Sequence, residues 1–158
     1  MTATTMIGVC VATDDSTPVA YRANLQLTVD GEIVTDFGEL TERQYIWLFA
    51  QRPGMYIGRT SLRGVTSFLD GYDYAARRYG GAGLTGFSEW LMSNHEVGAN
   101  LTWWTQIEQI ALPDRDFLTE LTPEQEDLVL EVLFDLLDRF LIKRDNETSS
   151  IQFSRVAD

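Results

Sequence analysis

The chain has 158 residues, near the usual size of one domain, and its 44% apolar and 11% aromatic content supplies enough apolar surface to build a core. Cys10 and His95 are the only residues of their kinds, which excludes an internal disulfide and argues against a zinc centre, since zinc sites draw on several such ligands. The net charge of −12 repels nucleic acid and anionic membranes and favours encounter with a basic partner.

That charge is unevenly placed: residues 1–51 carry −5, residues 52–83 carry +3 and residues 84–158 carry −10. No apolar run reaches the ~20 residues that span a bilayer, and the N-terminus lacks the basic start of a signal peptide, so a cytoplasmic location is expected.

In chain order, "MIGVCVA" (6–12) reads as a buried strand closed by the turn-rich "TDDSTP". From Tyr21 to Val29 apolar and polar residues alternate, the pattern of a half-buried strand. Asp30-Gly31 tolerates positive φ, and "LQLTVDGEIVTDF" is therefore a hairpin signal. A two-residue loop sets Leu27 opposite Val34; a three-residue loop pairs Val29 with Ile33. Turn chemistry favours the first register and apolar matching the second.

Thr41-x-x-Gln44 has the form of a capping box, and Pro53 limits continuation, which predicts a first helix over about 42–51. Ser61 caps a second, with Leu62, Val65, Leu69, Tyr72, Ala76 and Tyr79 as its apolar stripe and Gly80-Gly81 as its stop. A third, capped by Thr85, buries Phe87, Trp90 and Leu91, and places His95 in its last turn or on its surface. A fourth follows Asn100, with Ile107, Ile110, Ala111 and one of Trp103 and Trp104 facing inward. Neighbours on a helix lie ~100° apart, so the other tryptophan is expected at the surface or in a groove.

Thr122-Pro123-Glu124-Gln125 combines a cap, a first-turn proline and a boxing glutamine, and opens the last helix. Its expected core stripe is Leu128, Val132, Leu133, Leu136, Leu137 and Phe140. Glu124, Asp127, Glu131, Asp135 and Asp138 run down another face, either as a solvated surface or as a docking surface for a basic protein. "IQFS" (151–154) reads as one further short strand. The expected fold class is thus α+β: a small N-terminal antiparallel sheet, a hairpin plus one or two strands, packed against about five helices in one domain. Its parts are a β-rich 1–38, a helical 39–145 and a tail or strand over 146–158.

The stretch "RPGMYIG" (Arg52, Pro53, Gly54, Met55, Tyr56, Ile57, Gly58) resembles a segment near the start of the ATPase domains of gyrase B and its type II topoisomerase relatives, in the GHKL class. That resemblance implies a following helix with Glu and Asn for water activation and magnesium, an Asp-x-Gly-x-Gly adenine reader and a glycine-rich lid. Here the following helix has neither Glu nor Asn, no Asp-x-Gly-x-Gly occurs downstream, and "GGAGLTG" (80–86) is the one lid-like stretch. The residues are instead expected to form a helix-to-helix corner: a Pro-Gly turn, Met55 and Tyr56 dropped onto the core, Arg52 at a helix C-terminus and Gly58 releasing the chain. No cofactor is expected; a nucleotide-binding GHKL-like remnant stands as one alternative.

The order "RPGMYIG", "FLDGYDYA", "FSEWL", "IEQI" and "VLFDLLDRFL", over about 42–141, is similar to small bacterial proteins of the polymorphic-toxin immunity type. That resemblance implies a non-enzymatic inhibitor that covers the active site of a basic toxin or nuclease. The candidate partner-binding residues are Glu124, Asp127, Glu131, Asp135 and Asp138 with Trp103 and Trp104. A second alternative is a phage- or regulation-related acidic mimic of nucleic acid. Arg59, Arg63, Arg77 and Arg78 are the only positive patch open to an anion, although their spacing from Asp70 and Asp73 also permits local ion pairs.

Overall fold

The structure is a computed structural model that describes residues 27–29, 32–34, 38, 40–116 and 119–156, with side chains described as far as Glu147. The described elements are β1 (Leu27–Val29), β2 (Glu32–Val34), α1 (Glu42–Gln51), α2 (Pro53–Ile57), α3 (Leu62–Arg78), α4 (Phe87–Asn94), α5 (Trp103–Ala111) and α6 (Pro123–Val156). The chain divides into two compact units at the Tyr45–Ile46 bond, inside α1.

This corrects the expected fold class. The described residues are mainly helical, and the expected α+β class does not describe them. Their only strands are β1 and β2, three residues each and antiparallel, with Leu27 opposite Val34 and Val29 opposite Glu32. That register is the one a two-residue loop produces. The strand expected over 6–12, and the part of the second strand before Leu27, lie outside the described residues. The strand expected at 151–154 is overturned, because α6 runs unbroken through it to Val156.

Both capping boxes form. The Thr41 N–H donates to Gln44 Oε1 at 2.9 Å while the Gln44 N–H donates to Thr41 Oγ1 at 3.2 Å. Thr122 and Gln125 repeat the exchange at 3.0 and 3.3 Å, so α1 and α6 begin where their caps dictate. Ser61 accepts from the Gly64 N–H at 3.1 Å and starts α3.

In the second unit α5 packs along α6, and α3 and α4 also meet α6. Val129, Leu133, Leu136, Leu137 and Leu141 of α6 are buried with Val65, Leu69, Phe87, Leu91 and Ile107 from the other helices. Leu133, Leu136, Leu137 and Phe140 are buried as expected, but the arc differs in its first turn, where Val129 and Leu130 go inside and Leu128 is exposed. Contact with helices on more than one side, and not the i, i+4 spacing alone, sets that arc. Tyr79 is likewise 84% exposed, because it is the C-cap of α3, where the chain has left helical geometry. Among the described residues no helix is long and apolar enough to cross a membrane.

Candidate functional site

Asp70, Asp73 and Tyr74 stand at i, i+3 and i+4 on α3 and therefore project from one side of it. Facing them are the first turn of α4, with Phe87 and Glu89, and the first turn of α5, with Trp103 and Trp104. Together they line a cleft of about 390 Å³. Phe87 is buried as its floor, with ring centroids 6.0 Å from Trp103 and 5.2 Å from Phe140.

Trp103 bridges the cleft by donating its indole N–H to Asp70 Oδ1 at 2.9 Å. A half-buried indole needs such an acceptor, and this bond fixes the start of α5 against α3. Trp104 meets Trp103 edge-on, with centroids 5.7 Å apart and an interplanar angle of 85°. Both tryptophans are half-buried and both form cleft wall, so the groove position expected of one of them is taken by both and neither is a core residue.

The start of α5 is held from behind by Gln106, which is 0% exposed. Its Oε1 accepts from the Ser88 hydroxyl at 3.0 Å, and its Nε2 donates to the Gly98 carbonyl at 3.1 Å. A buried amide with both ends engaged ties α4, α5 and the connection between them into one wall.

Asp73 works in two directions. Its Oδ1 accepts the Leu84 N–H at 2.8 Å, and its Oδ2 pairs with Arg77 at 2.7 Å. The Arg77 guanidinium also lies 5.3 Å from the centroid of the Tyr74 ring. Glu89, exposed in the first turn of α4, benefits from the positive end of that helix. The lining therefore contains three carboxylates, Asp70, Asp73 and Glu89, and no basic side chain. Carboxylates beside aromatic faces suit a cation. Among the described residues no group of three or more His, Cys, Asp and Glu side chains converges to hold a metal ion.

No family model, curated protein or solved structure matches this chain.

The structure splits the partner-binding set expected from sequence. Trp103 and Trp104 line the cleft, but none of its lining residues comes from α6. Glu124, Asp127, Glu131 and Asp135 lie exposed on α6 and Asp138 half-buried, with Asp135 paired to Arg139 at 2.8 Å. Glu126, outside that stripe, turns inward and accepts the Leu62 N–H at 2.6 Å, closing the N-terminus of α3.

The expected positive patch is not a single patch. Arg59 and Arg63 lie at the start of α3 and Arg77 and Arg78 at its end. At the α-helical rise, Arg63 and Arg77 are about 21 Å apart along the axis. All four are exposed, and Arg77 is committed to Asp73.

The "RPGMYIG" corner also differs from expectation. Arg52 is the N-cap of α2, Pro53 opens it, and Gly58 ends it at φ 79°, so the segment is a helical turn and not a Pro-Gly type II turn. Proline suits that first position because its missing N–H would have no helical partner. Met55 is 62% exposed and does not enter the core. Tyr56, at the surface, still meets Phe49 at 5.4 Å and Phe68 at 5.8 Å, and Phe49 and Phe68 stack at 4.0 Å.

The lid-like "GGAGLTG" is tied down by this chain's own groups. Gly83 and Leu84 are buried, the Leu84 N–H is held by Asp73, and the Gly83 carbonyl accepts from Arg144 at 2.7 Å. A carboxylate thus occupies an amide that a phosphate-binding loop would present. His95 is the C-cap of α4, with its ring 6.2 Å from that of Trp90, in the last-turn position the sequence implied.

Sequence reading missed Asp70, Asp73 and Glu89 as one set, and missed Gln106. The available signal was the i, i+3, i+4 run of Asp70, Asp73 and Tyr74, together with adjacent tryptophans whose indole N–H groups need acceptors.

Proposed function

We propose that the chain is a non-enzymatic binding protein for a basic protein partner, acting in the cytoplasm as an immunity-type inhibitor of a bacterial toxin or nuclease. The observation that carries this reading is the cleft, in which three carboxylates and two tryptophans face a common space with no basic side chain among its lining. Two further features support it. The exposed carboxylates of α6 add a second acidic face, and the net charge of −12 steers a basic protein toward both.

Tryptophan at a concave site is a common anchor of protein interfaces, whereas rim charges mainly set the encounter rate and the salt dependence. The test is calorimetric titration of the chain with the basic proteins encoded beside its gene, at low and at raised salt. The expected result is tight association that weakens steeply with salt, and, in a stopped-flow measurement on the same pair, an on-rate that falls when Glu124, Asp127, Glu131, Asp135 and Asp138 become amides. Failure to bind any of those proteins, or an affinity indifferent to salt, sinks the reading. Competition by DNA for the same basic protein would replace inhibition with nucleic-acid mimicry.

A further inference from the structure

We infer that the cleft between α3, α4 and α5 is a subsite for one arginine side chain of the basic partner, and this rests on the function proposed above. The structure contains a guanidinium held in the same way. At the rim, Arg77 sits 2.7 Å from Asp73 and 5.3 Å from the Tyr74 ring centroid, a carboxylate and an aromatic face gripping one planar cation. The rest of the lining offers the same residue types, Asp70 and Glu89 with Trp103 and Trp104.

Shape and charge select the occupant. Indole and phenol faces favour a flat, weakly hydrated cation over a compact ammonium, and a carboxylate pairs with a guanidinium through parallel N–H donors. A cleft of about 390 Å³ admits a long side chain and its flanking backbone. Arginine therefore outranks lysine, and neutral citrulline, which keeps the shape and loses the charge, is excluded.

The mode of binding follows from which groups are already engaged. Asp70 Oδ1 holds the Trp103 indole and Asp73 holds Arg77 and the Leu84 N–H, whereas the Glu89 carboxylate makes no ion pair among the described residues. Glu89 is thus the group an entering guanidinium meets first. Arg77 is a competitor, and its removal releases one Asp73 oxygen and the Tyr74 face for a ligand.

The experiment titrates the whole chain with three capped tripeptides, Gly-Arg-Gly, Gly-Lys-Gly and Gly-citrulline-Gly, following the indole N–H signals by NMR. The arginine peptide should shift the Trp103 and Trp104 signals, the lysine peptide should bind at least about threefold more weakly, and citrulline should leave both signals in place. Glu89→Gln should weaken the arginine peptide about tenfold, and Arg77→Gln should strengthen it about threefold, a gain that a purely structural Arg77 would not give. Both positions are exposed, and unchanged thermal melts confirm that the variants fold.

Equal shifts with citrulline, equal affinity for lysine, or indifference to Glu89→Gln overturn the proposal; if Arg77→Gln does not fold, Glu89→Gln decides alone. A chain that ignores the arginine peptide but keeps a salt-sensitive affinity for its basic partner loses the subsite and keeps the function. A chain that takes the peptide but no basic protein does the reverse.

Discussion

Two glycine-bearing connections flank α3, and they are built in opposite ways. The segment before it, Arg52 to Gly58, forms a short helix with no buried residue and presents Met55 to solvent. The segment after it, Gly80 to Gly86, makes no helix, yet its centre is buried and bonded to Asp73 on one side and Arg144 on the other. A recognisable local motif and a structurally demanding position are therefore different things. The heptapeptide stands out in the sequence, while the loop that attracts less notice holds one end of the cleft in place through Leu84.

The largest effect expected from this contrast is at Gly83. An added Cβ would lie 2.5 Å from Asp73 Oδ1 on a residue at φ 55°, so Gly83→Ala combines left-handed strain with displacement of the carboxylate that holds Leu84. A loss of about 2–4 kcal/mol is expected from urea denaturation, together with a disturbed Trp103 indole signal. Gly58→Ala sharpens the comparison, since its φ is 79° but nothing lies within 4 Å of the new Cβ. Strain acts alone there, and about 1–2 kcal/mol is expected. Equal losses at the two glycines would break the contrast.

Met55→Ser should change stability by no more than about 0.5 kcal/mol, because the side chain already faces water. A larger loss in the same denaturation series would mean that the exposed corner bears weight after all.

The smallest effect is electrostatic. Glu124 is held below the ordinary glutamate range by its own backbone N–H and by the Thr122 hydroxyl. A carboxylate with a depressed value adds stability that is fully present above its unfolded value and disappears as pH falls through the folded one. Glu124→Gln should therefore flatten the stability profile slightly in the acid range and leave its form near neutrality unchanged. An unaltered acid limb in paired denaturation series would show that the Thr122 contact contributes nothing.

Some of this fold was legible residue by residue. The capping boxes at Thr41 and Thr122 fixed where α1 and α6 begin, because a side chain three residues away satisfies an otherwise orphaned amide. Asp73 and Arg77 pair at i, i+4 as their spacing allowed. The hairpin formed in the register that turn chemistry favoured over apolar matching, a choice the sequence had left open, and its signal led wrongly to a fold class, since a turn dictates its own pair of strands and says nothing of a larger sheet. Leu128 and Tyr79 fit the apolar spacing and stayed outside, because spacing predicts a face only while the helix lasts and only for a neighbour whose direction is known.

The site was less legible than the helices. Trp103 and Trp104 were visible as a pair that one helix face cannot bury, but their acidic partners come from α3 and α4, 14 to 34 residues earlier in sequence. The sequence by itself determined where α1, α3 and α6 start, that Asp73 could pair with Arg77, and that the chain would be strongly acidic, because each follows from groups within about one helical turn or from composition alone. Only the tertiary structure decided which carboxylates face the tryptophans, which glycine is buried and that Leu128 stays outside while Val129 and Leu130 go in. Those depend on how helices pack against one another, and packing is a property of surfaces that no single segment contains.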